Sequence, residues 1–484
     1  MWAPLYTKVH SSWLILALCA SFVVGVIGAQ YADPVMFSGF VWMMVAIVMA
    51  VAGFCFRSIP MVICVILAGC IGGLWRGSVE QRDLAVYQDV IGSTVVVVGS
   101  VAEDVDNNQR GQKVVRMHDA SVNTHPVAGK IWVTIATKAD IKRSDNITIR
   151  AKMTNGFGNF SATMYSAELL AIERPSPGDV ALTVRDWFAD HIRIAIPDPQ
   201  AALGIGYLVG QRRALPPELD QALQIAGLTH IVVASGYNLT ILVRLARRLF
   251  VKISKFASMF AASGMVVSFM AVTGMSPSMS RAGLVAGLSL LAWYYGRKFH
   301  PLILLCFAAA VTVLVNPGYA WGDLGWQLSF AAFAGVMILA PLGQAYFFGN
   351  EKPGTIRQIL GETIAAQIAT LPILVVAFGQ FSNVAIIANA LVLPLVPLAM
   401  LLTFIAGVVA VAAPSIATIA GWPAEILLTY MVETAMYLSK LPWAIQEVSI
   451  PSWVAVAMYG LIFTACVYLV HKTRYDLRDS NIVE

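Results

Sequence analysis

The chain has 484 residues, 58% of them hydrophobic and only 12% charged, with a formal net charge of +5 and a mean hydropathy of +0.73. Soluble domains are roughly 45–50% apolar and about 25% charged. The composition therefore excludes an ordinary soluble protein and specifies an α-helical polytopic membrane protein, in which the placement of charge says more than its sum.

Three spans come first, at 13–29, 35–55 and 61–75. Lys8 and His10 before an apolar core give the N-terminus the form of a signal peptide, but two further spans follow at once and favour a retained first helix. The third span is short and rich in glycine (Gly69, Gly72, Gly73, Gly77), which suits close helix packing. Residues 76–179 hold no stretch able to cross a bilayer. Segments 94–101, 113–122, 130–137, 146–153 and 162–172 are rich in Val, Ile and Thr, partly alternating, and separated by turn signals such as Asp106-Asn107-Asn108. Five strands in so short a region predict a small all-β domain, an OB-fold-like barrel or else a sandwich fragment. Its balance over 92–175 is ten Lys plus Arg against eight Asp plus Glu, so it is barely basic.

Residues 180–196 predict an amphipathic interfacial helix. Val184, Trp187, Phe188, Ile192 and Ala195 share one face, with Arg185, Asp186, Asp190 and Arg193 largely opposite. A second membrane block occupies 200–471, with a cytoplasmic tail at 472–484. Residues 201–210 are too short to span and predict a half-inserted or buried helix. Residues 215–226 are amphipathic. Full spans follow near 228–250, 256–273, 279–296, 302–315, 324–342, 359–378, 383–411, 416–438 and 453–470. Pro394 and Pro397 predict a kink or break in the 383–411 span. Lys8, Arg57, the Arg244, Arg247, Arg248, Lys252 and Lys255 cluster, Arg297 with Lys298, Lys352 with Arg357, and Lys472 with Arg474 then fall on one side. The excess of cations on cytoplasmic loops gives about twelve spans, both termini cytoplasmic and the inserted β domain extracytoplasmic.

Enzyme motifs are mostly absent: there is no GxSxG, no HExxH and no GxxxxGK[ST], the nearest glycine pair (Gly349, Gly354) being followed by Thr355. No cysteine or histidine has metal-ligand spacing, so no metal, cofactor or catalysis is expected, and the six cysteines read as buried free thiols. The candidates for function are polar groups in the second block. His230 and Asn238 lie in one apolar segment at helical spacing through Ala234, beside Ser235-Gly236. They either line a pathway or tie neighbouring helices by hydrogen bonds. Arg281, one turn into a helix after Pro277, either meets phosphate in a narrow passage or snorkels to the interface. Asp323 and Gln327 sit one turn apart at a helix start, Asp323 as a cap or a functional acid. Glu425 and Glu433 share a face, lining a lumen or packing toward Lys440. In the β domain Trp132, Phe157, Phe160 and Tyr165 either stack bases or serve as core or membrane-facing groups.

Read together, these elements resemble the ComEC family, inner-membrane channels for DNA uptake in natural transformation. A G-L-x-H-x-x-x-x-S-G pattern is matched by Gly227-Leu228-Thr229-His230 with Ser235-Gly236, a Pro-Ser-x-x-Arg-Ala element by Pro277 to Ala282, and later elements by Asn316-Pro317 and Gln327-Leu328-Ser329-Phe330. Many members carry Leu-His after the Ser-Gly pair, where this chain has Tyr237-Asn238. Many also carry a metallo-β-lactamase-like domain with an HxHxDH zinc motif, which the seven histidines here do not form. The resemblance implies passage of single-stranded DNA, with His230, Ser235, Gly236, Asn238, Arg281 and Gln327 as path or gate residues. The implied partners are the single strand, membrane lipid, a cytoplasmic ATP-driven translocase, an external DNA receptor and a separate nuclease. The residues alone leave two rivals: a proton-coupled small-molecule transporter, and a membrane scaffold presenting an OB-like binding domain.

Overall fold

The computed structural model describes residues 9–475 apart from 109, 124, 212–214, 233–235, 275, 297–299, 350, 352–353 and 449. Among the described residues eight helices are long and apolar enough to cross a membrane, and three shorter apolar helices accompany them. The chain forms two compact units, Met1–Val180 with Ile303–Trp326, and Ala181–Leu302 with Gln327–Glu484.

In the first unit the Ser11–Ala29 helix packs along the Ile59–Leu84 helix. The contact depends on glycines: a Cβ at Gly69 would lie 1.9 Å from Ser21 Oγ, and one at Gly73 2.1 Å from the Phe22 carbonyl. Small residues at this spacing let two backbones touch, the main source of cohesion between helices in lipid. The second expected span is broken into Pro34–Phe37 and Phe40–Phe56, because Gly39 takes an extended conformation at the start of the longer piece. The third runs well past residue 75, to Leu84. Polar residues continue it as a helix outside the apolar stretch, where Arg76 pairs with Glu80 at 3.0 Å. Arg76 also donates to the carbonyls of Leu314 and Val315, satisfying the last acceptors of the Pro301–Val315 helix.

A short 3-10 turn then enters the barrel, where Tyr87 is buried and donates to the Ala128 carbonyl at 2.8 Å. The strands are β1 (Thr94–Val101), β2 (Asp106–Asn107), β3 (Lys113–Val122), β4 (His125–Pro126), β5 (Lys130–Ile135), β6 (Asn146–Asn155) and β7 (Phe160–Glu173). The five long ones close on themselves in the circular order β1-β6-β7-β5-β3-β1. Among the described residues only β5 and β7 run parallel. Alternation drives this closure: Val97, Val115, Met117, Ile131, Val133, Ile147, Ile149 and Met164 all point inward and are fully buried. At the end of the barrel Asp145 is buried and accepts two hydrogen bonds from Arg174, at 2.8 and 2.9 Å, and one from the Lys142 N–H. Burial pushes this carboxyl up, but those hydrogen bonds outweigh it and hold it below the ordinary carboxylate range. A depressed acid stabilises the fold above its unfolded pKa of about 3.9 and loses that contribution as pH falls toward the folded value. Thermal melts of the wild type should therefore fall below about pH 4. Asp145→Asn should be less stable at neutral pH and should show a flatter profile below about pH 4.

The second unit is built around the Gln200–Val209 helix, whose residues Ala201 to Val209 are all buried, so the short apolar segment is an internal helix. It packs on Val396–Ala412 and Ala417–Ser439. The proline-containing span is interrupted by a 3-10 turn at Leu393–Leu395 between Ala385–Val392 and Val396–Ala412. The Val180–Ala195 helix differs from its expected faces. Leu182, Arg185, Ala189, Ile192 and Ala195 are buried, whereas Val184 and Trp187 are exposed. Arg185 tolerates burial because its guanidinium donates to Asp186 at 3.0 Å. The six cysteines are free, but only Cys19 is buried, and Cys55 is exposed. The expectation of uniformly buried thiols fails because apolar helix positions facing lipid are not covered by protein.

Candidate functional site

Two clusters gather the candidate residues, one in each unit. On the barrel, Trp132 projects outward from β5 between inward-facing Ile131 and Val133. Its ring lies 5.6 Å from Phe157 and 5.5 Å from Tyr165, both in edge-on contact, and Phe157 lies 5.3 Å from Phe160. All four sequence-nominated aromatics therefore belong to one cluster outside the core, with Phe157 and Tyr165 about half exposed, at 49% and 55%.

Two local features produce it. The β6–β7 turn supplies Phe157 and leads into Phe160. In β7 a bulge at Tyr165 and Ser166, with Ser166 at φ +50°, shifts the register against β5 between Val133 and Ile135. The Ser166 N–H donates to Thr134 Oγ1 at 2.9 Å and fixes the bulge, so that Ser166 faces outward as well as Tyr165, which lies on the Trp132 face. The turn is held from below, where Gly158 and Gly322 meet backbone to backbone and Asn159 Nδ2 donates to Asp323. Asp323 also caps the Leu324–Ala334 helix through the Trp326 N–H at 2.7 Å. It is thus both a cap and a tether. Cations near the cluster are compensated: Arg116, opposite Trp132 in register, pairs with Asp106 and Glu103, and Lys130 pairs with Glu103.

In the second unit the sequence motifs converge on Arg281. Gly236 begins the Gly236–Phe250 helix, and a Cβ there would sit 3.2 Å from Ala282 Cβ and 3.4 Å from Arg281 Nη2. Arg281 Nε donates to Ser329 Oγ at 2.7 Å, and Ser329 lies 3.3 Å from Ser278 Oγ. The guanidinium lies 5.0 Å over the Phe333 ring and 5.8 Å over Phe330, contacts that favour a cation held in apolar surroundings. Ser278 and Phe333 were not nominated from the sequence. Phe333 follows Phe330 by one helical turn, which was the available signal.

The remaining candidates separate. His230, in Thr229–Val232, is exposed and shares a 3.0 Å hydrogen bond with the Gly227 carbonyl through Nδ1. A carbonyl only accepts, so Nδ1 carries the proton and Nε2 is the acceptor of the neutral ring. Asn238 is fully buried and donates to the carbonyls of Tyr207 and Ile231 at 3.0 and 3.1 Å. That geometry is a helix tie. Ser235 lies outside the described residues, as does Ala234 between the two helices. Gln327 is half-buried in the Leu324–Ala334 helix, Glu425 is half-buried and Glu433 exposed. Among the described residues no group of three or more His, Cys, Asp or Glu side chains could hold a metal ion.

A family model described as Competence protein matches residues 207–472. ComE operon protein 3 of Bacillus subtilis (strain 168) is 26% identical over 231 residues, covering 47% of this chain and 29% of that protein. An uncharacterized protein of Aquifex aeolicus (strain VF5) is 20% identical over 215 residues, covering 44% of this chain and 49% of that one. The chain thus spans less than half the length of each of these relatives. No solved structure matches. The family match covers more than half of the chain and takes in all the residues around Arg281, and the protein belongs to the ComEC family of competence proteins.

Proposed function

We propose that this protein is a channel for single-stranded DNA across the cytoplasmic membrane in natural transformation, with both termini cytoplasmic and the barrel outside. Membership of the competence family supports a role in DNA uptake. The observation that carries the finer reading is the cluster of Trp132, Phe157, Phe160 and Tyr165 outside the barrel core, with Phe157 and Tyr165 exposed. The barrel is read as an OB-fold, because five strands close in one circle with a single parallel pair. Every base presents a flat face, so an aromatic platform binds a strand without selecting its sequence. In this reading the barrel receives the strand, and the helical block passes it along a route in which Arg281 meets phosphate. His230 and Gln327 line the route, and Asn238, with the Ser235-Gly236 pair beside it, holds the helix that bounds it. The free energy for movement comes from a cytoplasmic ATP-driven translocase, and strand processing from a separate nuclease.

The test is a transformation assay that scores labelled DNA bound outside the cell against DNA recovered from the cytosol. Deletion of the gene should leave external binding intact and abolish entry. Arg281→Ala should reduce entry with normal membrane levels of the protein, and Arg281→Lys should restore part of it. Entry at the wild-type level in the alanine variant removes Arg281 from the route.

A further inference from the structure

Between Asp220 and Asp323 the sequence contains no acidic residue, yet it holds Arg244, Arg247, Arg248, Lys252, Lys255, Arg281, Arg297 and Lys298. The first three occupy the end of the Gly236–Phe250 helix at i, i+3 and i+4, so they share a face. Lys252 lies in the turn, and Lys255 opens the Lys255–Thr273 helix. Aromatic rings fix two of these charges: Arg247 stands 4.4 Å over Trp293, and the Lys255 ammonium lies 5.6 Å from Trp293 and 5.5 Å from Tyr294. Arg248, Lys252 and Lys255 are exposed, and none of them takes part in an ion pair among the described residues.

Directly below the charges the surface becomes apolar. Phe256 is 67% exposed, Phe260 75% and Val267 68%, on one face of the Lys255–Thr273 helix, and Leu249 is exposed beside them. Cations at one end of an uncovered apolar stripe match the shape of an amphiphile with a negative head. The Lys255–Thr273 helix is long and apolar enough to cross a membrane, so the neighbour of its Phe256, Phe260 and Val267 face is lipid and not a solvated nucleic-acid strand.

We propose that this hairpin binds an anionic phospholipid, with its headgroup phosphate held by Arg248, Lys252 and Lys255 and an acyl chain lying along Phe256, Phe260 and Val267. Basic residues beside a membrane helix are a recognised arrangement for such lipids. The site is independent of the solute that the helices pass.

The full chain, purified in neutral detergent, should retain phosphatidylglycerol in preference to phosphatidylcholine when both are offered, read by native mass spectrometry. Each neutralised cation should weaken retention by roughly fivefold, so R248Q/K252Q/K255Q should lose the preference, while R248K/K252R/K255R should keep it. Should the triple glutamine variant not elute as the wild type does, Lys252→Gln alone, in the turn between the helices, should still show the roughly fivefold loss. Equal retention of the two lipids by the wild type overturns the proposal. So does undiminished phosphatidylglycerol retention by the folded glutamine variants. Loss of oligothymidylate binding in those variants with lipid retention unchanged assigns the patch to nucleic acid and also overturns it.

Discussion

Trp132→Ala combined with Tyr165→Ala is expected to weaken binding of single-stranded DNA by at least about 30-fold, since each stacked base contributes roughly 1–3 kcal/mol. Both rings lie outside the barrel core, in edge-on contact with each other and beside Phe157, so the variant should fold as the wild type does. Fluorescence anisotropy of labelled oligothymidylate with the full chain in detergent is the measurement. The nearby cations Arg116 and Lys130 already face Glu103 and Asp106, so the platform itself releases few counterions and the affinity lost in the double variant should depend only weakly on salt. Affinity equal to that of the wild type in the double variant would remove the platform from DNA recognition. A steep salt dependence of that loss would show that phosphate contacts, and not stacking, dominate.

A second large effect is expected at Gly73. A Cβ there would lie 2.1 Å from the Phe22 carbonyl oxygen and 2.7 Å from the Val26 nitrogen. Both are backbone atoms and cannot rotate aside. Gly73→Leu must therefore push the Ser11–Ala29 helix away from Ile59–Leu84, with a cost at or above the upper end of the roughly 1–3 kcal/mol typical of overpacking. Gly460→Leu serves as the control, because nothing lies within 4 Å of its added Cβ. Folded yield by fluorescence-detected size exclusion should collapse for Gly73→Leu and hold for Gly460→Leu. Equal yields would mean that the two helices are not packed as described.

The barrel strands were legible in the sequence because period-two alternation survives wherever one face is buried: β1 and β3 have the bounds that their Val and Ile pattern predicts. The helical break at Ser38 and Gly39 was hidden, since the segments on both sides are equally apolar. Around Arg281, the residue types were readable but their meeting was not, because Gly236, Arg281 and Ser329 come from three separate helices. Asn238 shows the opposite limit. Spacing alone placed it on the face of His230, whereas its amide is spent on two backbone carbonyls inside the protein. The Val180–Ala195 helix departs from its expected faces at Arg185, Val184 and Trp187, because periodicity treats every arginine as water-facing. Arg185 is neutralised by its neighbour Asp186 and goes inward, which turns Val184 and Trp187 outward.

The bulge at Tyr165 and Ser166 has a consequence for divergence among relatives. A strand has two faces, and inserting one residue exchanges them for everything beyond the insertion. Here the slip falls between the inward Met164 and the inward Ala167, so the hydrophobic interior is served on both sides while two side chains are left over for the exterior. Deleting Ser166 would restore strict alternation and leave Tyr165 outward between Met164 and Ala167, so the aromatic face would survive without altering a single core residue. The aromatic face thus depends on which residue stands outward at position 165 and not on any core residue, and sequence identity among the inward positions is no guide to which relatives possess it.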